Sequence, residues 1–362
     1  VPRKVFEPCS GKGGFLINII NKFMIGLKDQ IPDDKERHKF IVENCLYWAD
    51  INSTNVFIGK LLIDPYNEYQ VNCYQGNTLE LDIKKEWDLD GFDAVIGNPP
   101  YNDKSDNKGA GHKLWDKFME FGITKWLSPD GYLLYVHPPL WRQPKNKLFN
   151  LVKNNNLIYL EIHDYDDGKK MFKCSTRYDW YLMQKSTYQN KTTVIDEFKV
   201  KYEIDLKDWN FIPNGYFDDI KNLISGEEKH LIIADRSNYG ADKKWVSKTK
   251  DKEFKHEVIY SIYKDKSLQL RYSKHQENGH YEIPKIIFTP NLGLNNIIDK
   301  EGKYALTQWV VGIADQPENL EQITKIFKNL KFKLILKSIK FGMYYNTNIL
   351  KEFKKDFWKE FI

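Results

Sequence analysis

Apolar positions in the first half of the chain alternate between short buried runs and longer stripes with helical spacing. The short runs, each bounded by glycine, proline or polar turn residues, predict strands at 5–7, 45–49, 69–74, 92–96, 132–137, 157–163 and 178–184. The stripes predict helices at 15–27, 52–63, 113–127 and 146–154. This alternation indicates a mostly parallel sheet with helices on both faces, an α/β fold.

The pattern changes at the polar, turn-rich run 185–193, which we interpret as a domain linker. Beyond it the alternation is lost: 257–263 and 282–289 predict strands, and 320–339 predicts a helix. We therefore expect two domains, 1–187 and a C-terminal α+β domain at 188–362. The polar segment 28–39 is interpreted as a surface insertion.

Composition limits the class of protein. No apolar run is long enough for a membrane span and no signal peptide is evident, so we expect a cytoplasmic protein of prokaryotic or viral origin. The four cysteines form no C-x-x-C pair, and no metal site is expected. The net charge is +5, and the excess falls beyond residue 190, where 30 basic residues oppose 25 acidic ones (30 − 25 = 5). This charge is compatible with a polyanionic partner.

The first predicted turn, FEPCSGKGGF, joins a strand ending at Glu7 to a helix beginning at Phe15. Gly11 and Gly13 allow the backbone to approach a ligand closely, as in dinucleotide-type cofactor sites. The turn does not match the phosphate-binding P-loop pattern. The alternative is an ordinary strand-to-helix turn.

Polar residues also follow the next three strands. Asp50 is placed to accept hydrogen bonds from ribose hydroxyls, or else it starts the following helix. Asn77 is placed to face an adenine amine, or else it is a turn residue. The fourth strand ends in Asn98-Pro99-Pro100-Tyr101, where two prolines stiffen a backbone that carries an amide and an aromatic ring. Ligands of parallel sheets bind along this edge.

FEPCSGKGGF, WADI and IGNPPY, in this order, resemble the S-adenosylmethionine-dependent N6-adenine DNA methyltransferases with the gamma order of motifs, as in type II restriction-modification enzymes. The resemblance covers about residues 3–185. It implies a Rossmann-like catalytic domain, a C-terminal DNA target-recognition domain, double-stranded DNA as substrate, and a restriction endonuclease, fused or separate, as a partner. It implies S-adenosylmethionine as the cofactor, bound by Glu7, Gly11, Gly13, Phe15, Asp50, Asn77 and Thr78.

The resemblance also assigns catalytic roles. Because the lone pair of an adenine amine is delocalised into the ring, acceptors for both amine hydrogens favour the nucleophilic, pyramidal nitrogen. The family implies the Asn98 side-chain oxygen and the Pro99 carbonyl as these acceptors, and Pro100 and Tyr101 complete the catalytic motif. An adenine flipped out of the duplex would stack on Tyr101, with Phe172 on its other face. A core aromatic beside the sheet is the alternative for Phe172.

Two departures from the family pattern are visible. The family's upstream helical motif has no counterpart before Val1, so we expect that an N-terminal part is missing, and Asn77 stands where the family has Asp. Three alternatives remain: an RNA adenine methyltransferase, a protein glutamine methyltransferase, or a catalytically silent nucleic-acid-binding module. The basic segments 243–255 and 325–340 are candidate DNA-backbone contacts, although a solvated helix face explains the second equally well.

Overall fold

The computed structural model describes residues 3–102, 113–189, 191–277, 279–291, 293–342 and 345–362. The chain divides into two compact units, Val1–Ile212 and Pro213–Ile362. No helix among the described residues has the length and apolar character needed to cross a bilayer.

The first unit is built on a nine-stranded sheet in the order β3-β2-β1-β4-β5-β7-β6-β8-β9. Its strands are β1 Val5–Glu7, β2 Leu46–Asp50, β3 Asn72–Gln75, β4 Phe92–Gly97, β5 Leu127–His137, β6 Asn156–His163, β7 Tyr178–Gln184, β8 Thr192–Ile195 and β9 Lys201–Ile204. The first five strands are parallel neighbours, and only β7 and β9 run against the others. The predicted α/β fold with a mostly parallel sheet is confirmed.

The helices of this unit follow the strands in sequence. They are α1 Gly14–Gly26, α2 Asp34–Asn44, α3 Ser53–Ile63, α4 Ile83–Trp87, α5 Trp115–Phe121, α6 Lys147–Lys153 and α7 Tyr165–Phe172. The first three pack over β1 and β2 around a core that includes Leu16, Ile41 and Trp48. The contact is close, because a Cβ built on Gly59 of α3 would lie 2.6 Å from the Trp48 ring.

The order of the strands determines where a ligand can bind. β1 lies between β2 and β4, so the chain winds from β1 outward to β2 and β3 and then returns to β4 on the other side of β1. The loops that follow β1 and β4 therefore diverge and leave a crevice at the carboxyl ends of these strands. In open α/β sheets this topological switch point is where ligands bind.

The polar segment 28–39, interpreted as a surface insertion, is partly helical. Most of its residues are exposed, and its second half, from Asp34 onward, begins α2. Asp33 caps this helix by accepting the Glu36 N–H at 2.8 Å, and Ile41 and Val42 are buried.

The first compact unit extends beyond the predicted domain boundary. The unit ends at Ile212 rather than at 187, because β8 and β9 extend the first sheet beyond the supposed linker. β8 runs parallel to β6, and Thr192 donates a hydrogen bond from Oγ1 to the Leu157 carbonyl at 2.7 Å. The C-terminal domain expected at 188–362 therefore begins at Pro213.

The second unit contains two four-stranded sheets, in the orders β10-β17-β14-β15 and β11-β13-β12-β16. Its strands are β10 Ile232–Ile233, β11 Val246–Ser247, β12 His256–Ile262, β13 Leu268–Ser273, β14 Lys285–Phe288, β15 Asn296–Asp299, β16 Ala305–Leu306 and β17 Val311–Ala314. Its helices are α8 Phe217–Ile224, α9 Arg236–Tyr239, α10 Leu320–Ile323, α11 Leu330–Ser338 and α12 Thr347–Leu350. The single helix predicted at 320–339 is interrupted by a 3₁₀ segment, Thr324–Lys328.

Candidate functional site

A cavity of about 800 Å³ lies at the carboxyl ends of β1 to β4, at the switch point of the sheet. This volume is in the usual range for a small-molecule ligand. The cavity is lined by Pro8, Cys9, Gly11, Asp50, Ile51, Asn52, Asn55, Asn77, Thr78, Leu79, Asn98, Pro100, Asn102, Leu114, Lys117 and Phe118. Residues that follow four separate strands in the sequence thus meet in one place.

Asp50 connects the turn that follows β1 to the turn that follows β2. Its carboxylate accepts the Gly11 backbone N–H at 2.8 Å, the Asn52 backbone N–H at 2.8 Å and the Asn55 side-chain amide at 3.2 Å. Asp50 is not the cap of α3, because the Asn52 side chain accepts the Thr54 N–H at 2.8 Å. Gly11 has a φ of +54°, a left-handed conformation that suits glycine. The cavity wall therefore carries a fixed, buried carboxylate.

Glu7 ends β1 directly before the lining residue Pro8; it is 1% exposed and is not itself a lining residue. Burial, together with the neighbouring charge of Asp50, raises the pKa of Glu7 from 4.5 to about 8. Its Oε2 atom has no hydrogen-bond partner among the described residues. A buried acceptor of this kind is costly unless it is protonated or meets a donor from a ligand.

Asn77 and Thr78 form the third wall. The Asn77 side chain caps a 3₁₀ turn by accepting the Leu79 N–H at 3.2 Å, and it donates to Glu80 at 2.7 Å. The Thr78 hydroxyl donates to the Pro8 carbonyl at 2.8 Å and so ties this loop to the first turn. Both residues line the cavity. Asn77 also caps the turn, which is the alternative role that the sequence suggested for it.

Two predicted cofactor residues lie elsewhere in the described structure. Gly13, at φ +81°, precedes α1 as its N-cap, and a Cβ there would lie 3.0 Å from Leu62 of α3. Phe15 lines a separate apolar cavity of about 530 Å³ with Ile19 and Phe23. Gly13 and Phe15 thus contribute to helix packing, and the residues of the first turn that line the polar cavity are Pro8, Cys9 and Gly11.

The Asn98-Pro99-Pro100-Tyr101 segment leaves β4 at the edge of the cavity, where Asn98 and Pro100 are lining residues. The preceding Gly97 is packed closely, since a Cβ there would lie 3.4 Å from Pro8 and 3.5 Å from Tyr135. Among the described residues, no protein group donates a hydrogen bond to the Asn98 side-chain oxygen or to the Pro99 carbonyl. Asn98 lines the cavity, so its acceptor is available to a ligand there, whereas Pro99 is buried and is not a lining residue.

Tyr101 and Phe172 are brought together although 71 residues separate them in sequence. Their ring centroids are 6.3 Å apart with the planes at 69°, and Phe172 also meets Tyr178 edge-on at 4.9 Å. The Tyr101 hydroxyl has no partner among the described residues, and burial raises its pKa above the usual value. A base stacked between two parallel rings needs them ~7 Å apart, twice the carbon–carbon contact distance. The two rings must therefore turn before they can hold a base.

The loop between Asn102 and Lys113, two residues that form an isolated bridge, lies outside the described residues. Sequence reasoning missed several lining residues whose position could have been inferred. Ile51 follows Asp50 directly and is 73% exposed, so an apolar side chain borders the cavity. Asn55 lies three residues after Asn52, the cap of α3, and residues with this spacing are neighbours on a helix surface.

One group in the second unit could hold a metal ion: ligand atoms of His230, Asp315 and Asp356 lie within 4.8 Å of one another. However, His230 Nδ1 accepts the Asp356 backbone N–H at 3.2 Å, so a neutral ring carries its proton on Nε2, the atom that a metal would need. Asp315 already accepts from Trp358 and Asn319. These hydrogen bonds account for the close approach of the three side chains, and we assign no metal ion to them.

Comparison with known proteins identifies one family. Residues 44–172 match the family described as Eco57I restriction-modification methylase. This segment contains Asp50, Asn77, Asn98 to Tyr101 and Phe172. The similarity to restriction-modification methylases expected from the sequence motifs is thereby confirmed for this part of the chain. No curated protein matches the chain.

Several solved structures are similar in fold. The M protein of the type I restriction enzyme EcoKI has a TM-score of 0.41 at 16% identity, covering 54% of this chain and 44% of that chain. A modification subunit of a putative type I restriction enzyme from Vibrio vulnificus YJ016 has a TM-score of 0.42 at 14% identity, covering 76% and 55%. The type ISP restriction-modification enzyme LlaBIII, solved bound to DNA, has a TM-score of 0.49 at 11% identity, covering 86% and 31%. The chain thus spans about half or less of the length of these proteins.

Proposed function

We propose that this chain transfers a methyl group from S-adenosylmethionine to the N6 amine of an adenine in double-stranded DNA. The observation that carries the proposal is the position of Asn98 and Pro100, on either side of Pro99, in the lining of a cofactor-sized cavity. The match of residues 44–172 to restriction-modification methylases supports it.

The residues of the cavity fit the cofactor. Asp50 offers carboxylate lone pairs to ribose hydroxyls while its protein donors keep it in place. Ile51 borders the same wall and offers an apolar contact to the adenine ring. Glu7 lies beneath the first turn and could accept from the amino group of the methionine part once it has lost its proton. Thr78 holds two of the walls together.

When bound, S-adenosylmethionine supplies an electrophilic methyl group on sulfur. The chain's own part is to prepare the nucleophile. Asn98 and Pro99 each accept one hydrogen of the adenine amine, which favours the pyramidal nitrogen and frees its lone pair. The cofactor held beside Asp50 would supply the methyl group to N6, and one amine proton would leave to solvent. Because the prolines fix the acceptors before the substrate arrives, little orientational entropy is lost in the step.

The adenine must leave the duplex to reach Asn98. Tyr101 and Phe172 meet at this edge, and their edge-to-face contact would open to admit the base. Stacking on aromatic rings contributes ~1–3 kcal/mol per base, comparable with the few kcal/mol that unpairing costs.

The test is methyl transfer from labelled S-adenosylmethionine to duplex DNA, to RNA and to protein in parallel, followed by nucleoside analysis. We expect label on N6-methyladenine in the duplex. Label confined to RNA or to protein glutamine would replace the proposed substrate. Binding of duplex without transfer to any acceptor would identify a silent nucleic-acid-binding module instead.

A further inference from the structure

A short segment of the second unit concentrates positive charge. Residues 243–255 contain six lysines and two acidic residues, a net charge of +4 (6 − 2), against +5 for the whole chain. We call this segment the basic arm. Its lysines are Lys243, Lys244, Lys248, Lys250, Lys252 and Lys255, and all except the half-buried Lys243 are exposed.

The two acidic residues of the basic arm are already engaged. The Asp251 carboxylate accepts the backbone N–H groups of Glu253 and Phe254, both at 2.8 Å. Glu253 pairs with Lys274 of the neighbouring chain segment at 2.6 Å. Among the described residues no carboxylate forms an ion pair with any of the six arm lysines. The charge of the arm is therefore left for a partner outside the unit.

The basic arm is held on a rigid base. Its strand β11 pairs antiparallel with β13, with Val246 opposite Ser273 and Ser247 opposite Tyr272. The Trp245 indole N–H donates to the Asn238 carbonyl at 2.7 Å. Lysines lie near aromatic faces, with Lys243 Nζ 6.0 Å from the Trp245 ring and Lys250 Nζ 5.9 Å from the Tyr272 ring. The arm thus combines fixed backbone, cations and accessible rings.

The second basic segment, 325–340, differs in its environment. It also has six lysines and no acidic residue. Most of it forms α11, in which Phe332, Ile335 and Leu336 are buried while the lysines face outward. Lys331 is paired with Asp219 at 2.6 Å. Lysines are common on the exposed side of an amphipathic surface helix, whether or not it binds a ligand. This segment therefore serves as a control with a similar number of lysines.

We propose that the basic arm is the surface through which the second unit contacts the phosphate backbone of duplex DNA. The inference rests on the proposed function and adds a location for the contact. A polyanion is the partner that matches six lysines lacking ion pairs among the described residues, and neutralising phosphates releases condensed counterions from the duplex. Such contacts position the protein without reading sequence, so their loss should affect all duplexes alike.

The experiment compares two full-length variants with the same change in charge. The arm variant carries Lys244→Gln, Lys248→Gln, Lys250→Gln and Lys252→Gln, and the helix variant carries Lys325→Gln, Lys328→Gln, Lys333→Gln and Lys337→Gln. Affinity for a short mixed-sequence DNA duplex is measured by fluorescence anisotropy over a series of salt concentrations. Affinity for S-adenosylmethionine is measured on the same samples as a check of the first unit.

A plot of log K against log salt has a negative slope for DNA binding. Each lost phosphate contact should reduce the magnitude of this slope by about 0.9. The arm variant should therefore show a slope smaller in magnitude by roughly 3 to 4 and an affinity at least tenfold weaker at low salt, with an unchanged affinity for S-adenosylmethionine. The helix variant should resemble the wild type. Equal slopes for arm variant and wild type, or equal losses in both variants, would overturn the inference while leaving the proposed function intact. A wild-type protein without salt-dependent duplex binding would overturn the proposed function itself.

Discussion

Replacement of Glu7 by glutamine should change how stability depends on pH. The folded protein raises the pKa of Glu7 from 4.5 to about 8, so the folded state binds this proton more tightly than the unfolded chain does. The free energy of unfolding should therefore fall as pH rises from about 4.5 to about 8 and be unaffected by this group outside that range. At 1.36 kcal/mol per pKa unit the full effect is at most roughly 5 kcal/mol.

Glutamine has nearly the shape of the protonated acid and does not ionise. The Glu7→Gln variant should match the wild type near pH 4.5 and become progressively more stable than it up to pH 8. The assay is urea unfolding at several pH values, in which the difference between the two midpoints is followed. Asp50→Asn is the companion variant, because removal of the neighbouring charge, the second cause of the shift, should move the transition of Glu7 to lower pH. A midpoint difference that stays constant from pH 4.5 to 8 would refute the reasoning.

Two further predictions concern the walls of the cavity. Asp50→Asn should weaken S-adenosylmethionine binding at least about tenfold in calorimetry, because hydrogen bonds to a charged acceptor contribute ~1.5–3 kcal/mol. Asp64→Asn is the control for this variant. The Asp64 carboxylate is equally buried and also accepts two backbone N–H groups, but it does not line the cavity. Equal losses of affinity in both variants would show that Asp50 has only a structural role. Phe172→Ala should reduce the fluorescence rise of 2-aminopurine placed at the target adenine, and a mismatch opposite the target should partly restore it. Substitution of the exposed neighbour, Met171→Ala, is the control and should leave the signal unchanged. An unchanged signal in Phe172→Ala would show that Phe172 only packs beside the sheet.

The parts of the fold that local chemistry specifies were predictable. The strands β1, β2 and β4 and the turns that follow them depend on short apolar runs and on glycine, asparagine and proline at their ends. The domain boundary depends instead on pairing over distance. β8 and β9 have four residues each, too few for a clear alternation, and they become strands because β6 offers an edge.

The same distinction applies to the candidate site. Asp50 and Asn98 follow strands directly, so parallel pairing alone brings them to one edge. The family resemblance implied Phe15 as a cofactor residue, and in the structure Phe15 lines an apolar cavity with Ile19 and Phe23. Their spacing of four residues marks one face of α1 and could have separated Phe15 from the cofactor. The proximity of Phe172 to Tyr101 was expected from the family resemblance and not from the local pattern, because α7 was not predicted.

The central claim is that Asn98 activates the adenine amine. It is tested most directly by single-turnover methyl transfer to duplex DNA with the Asn98→Ala variant, at saturating S-adenosylmethionine and DNA. The rate should fall by about 10²–10³, as for the loss of one preorganised polar group in other active sites, while the affinities for cofactor and duplex stay near those of the wild type. A mismatch at the target should not restore the rate, because the defect lies in the chemical step. A rate close to that of the wild type would contradict the role of Asn98 and with it the proposed mechanism.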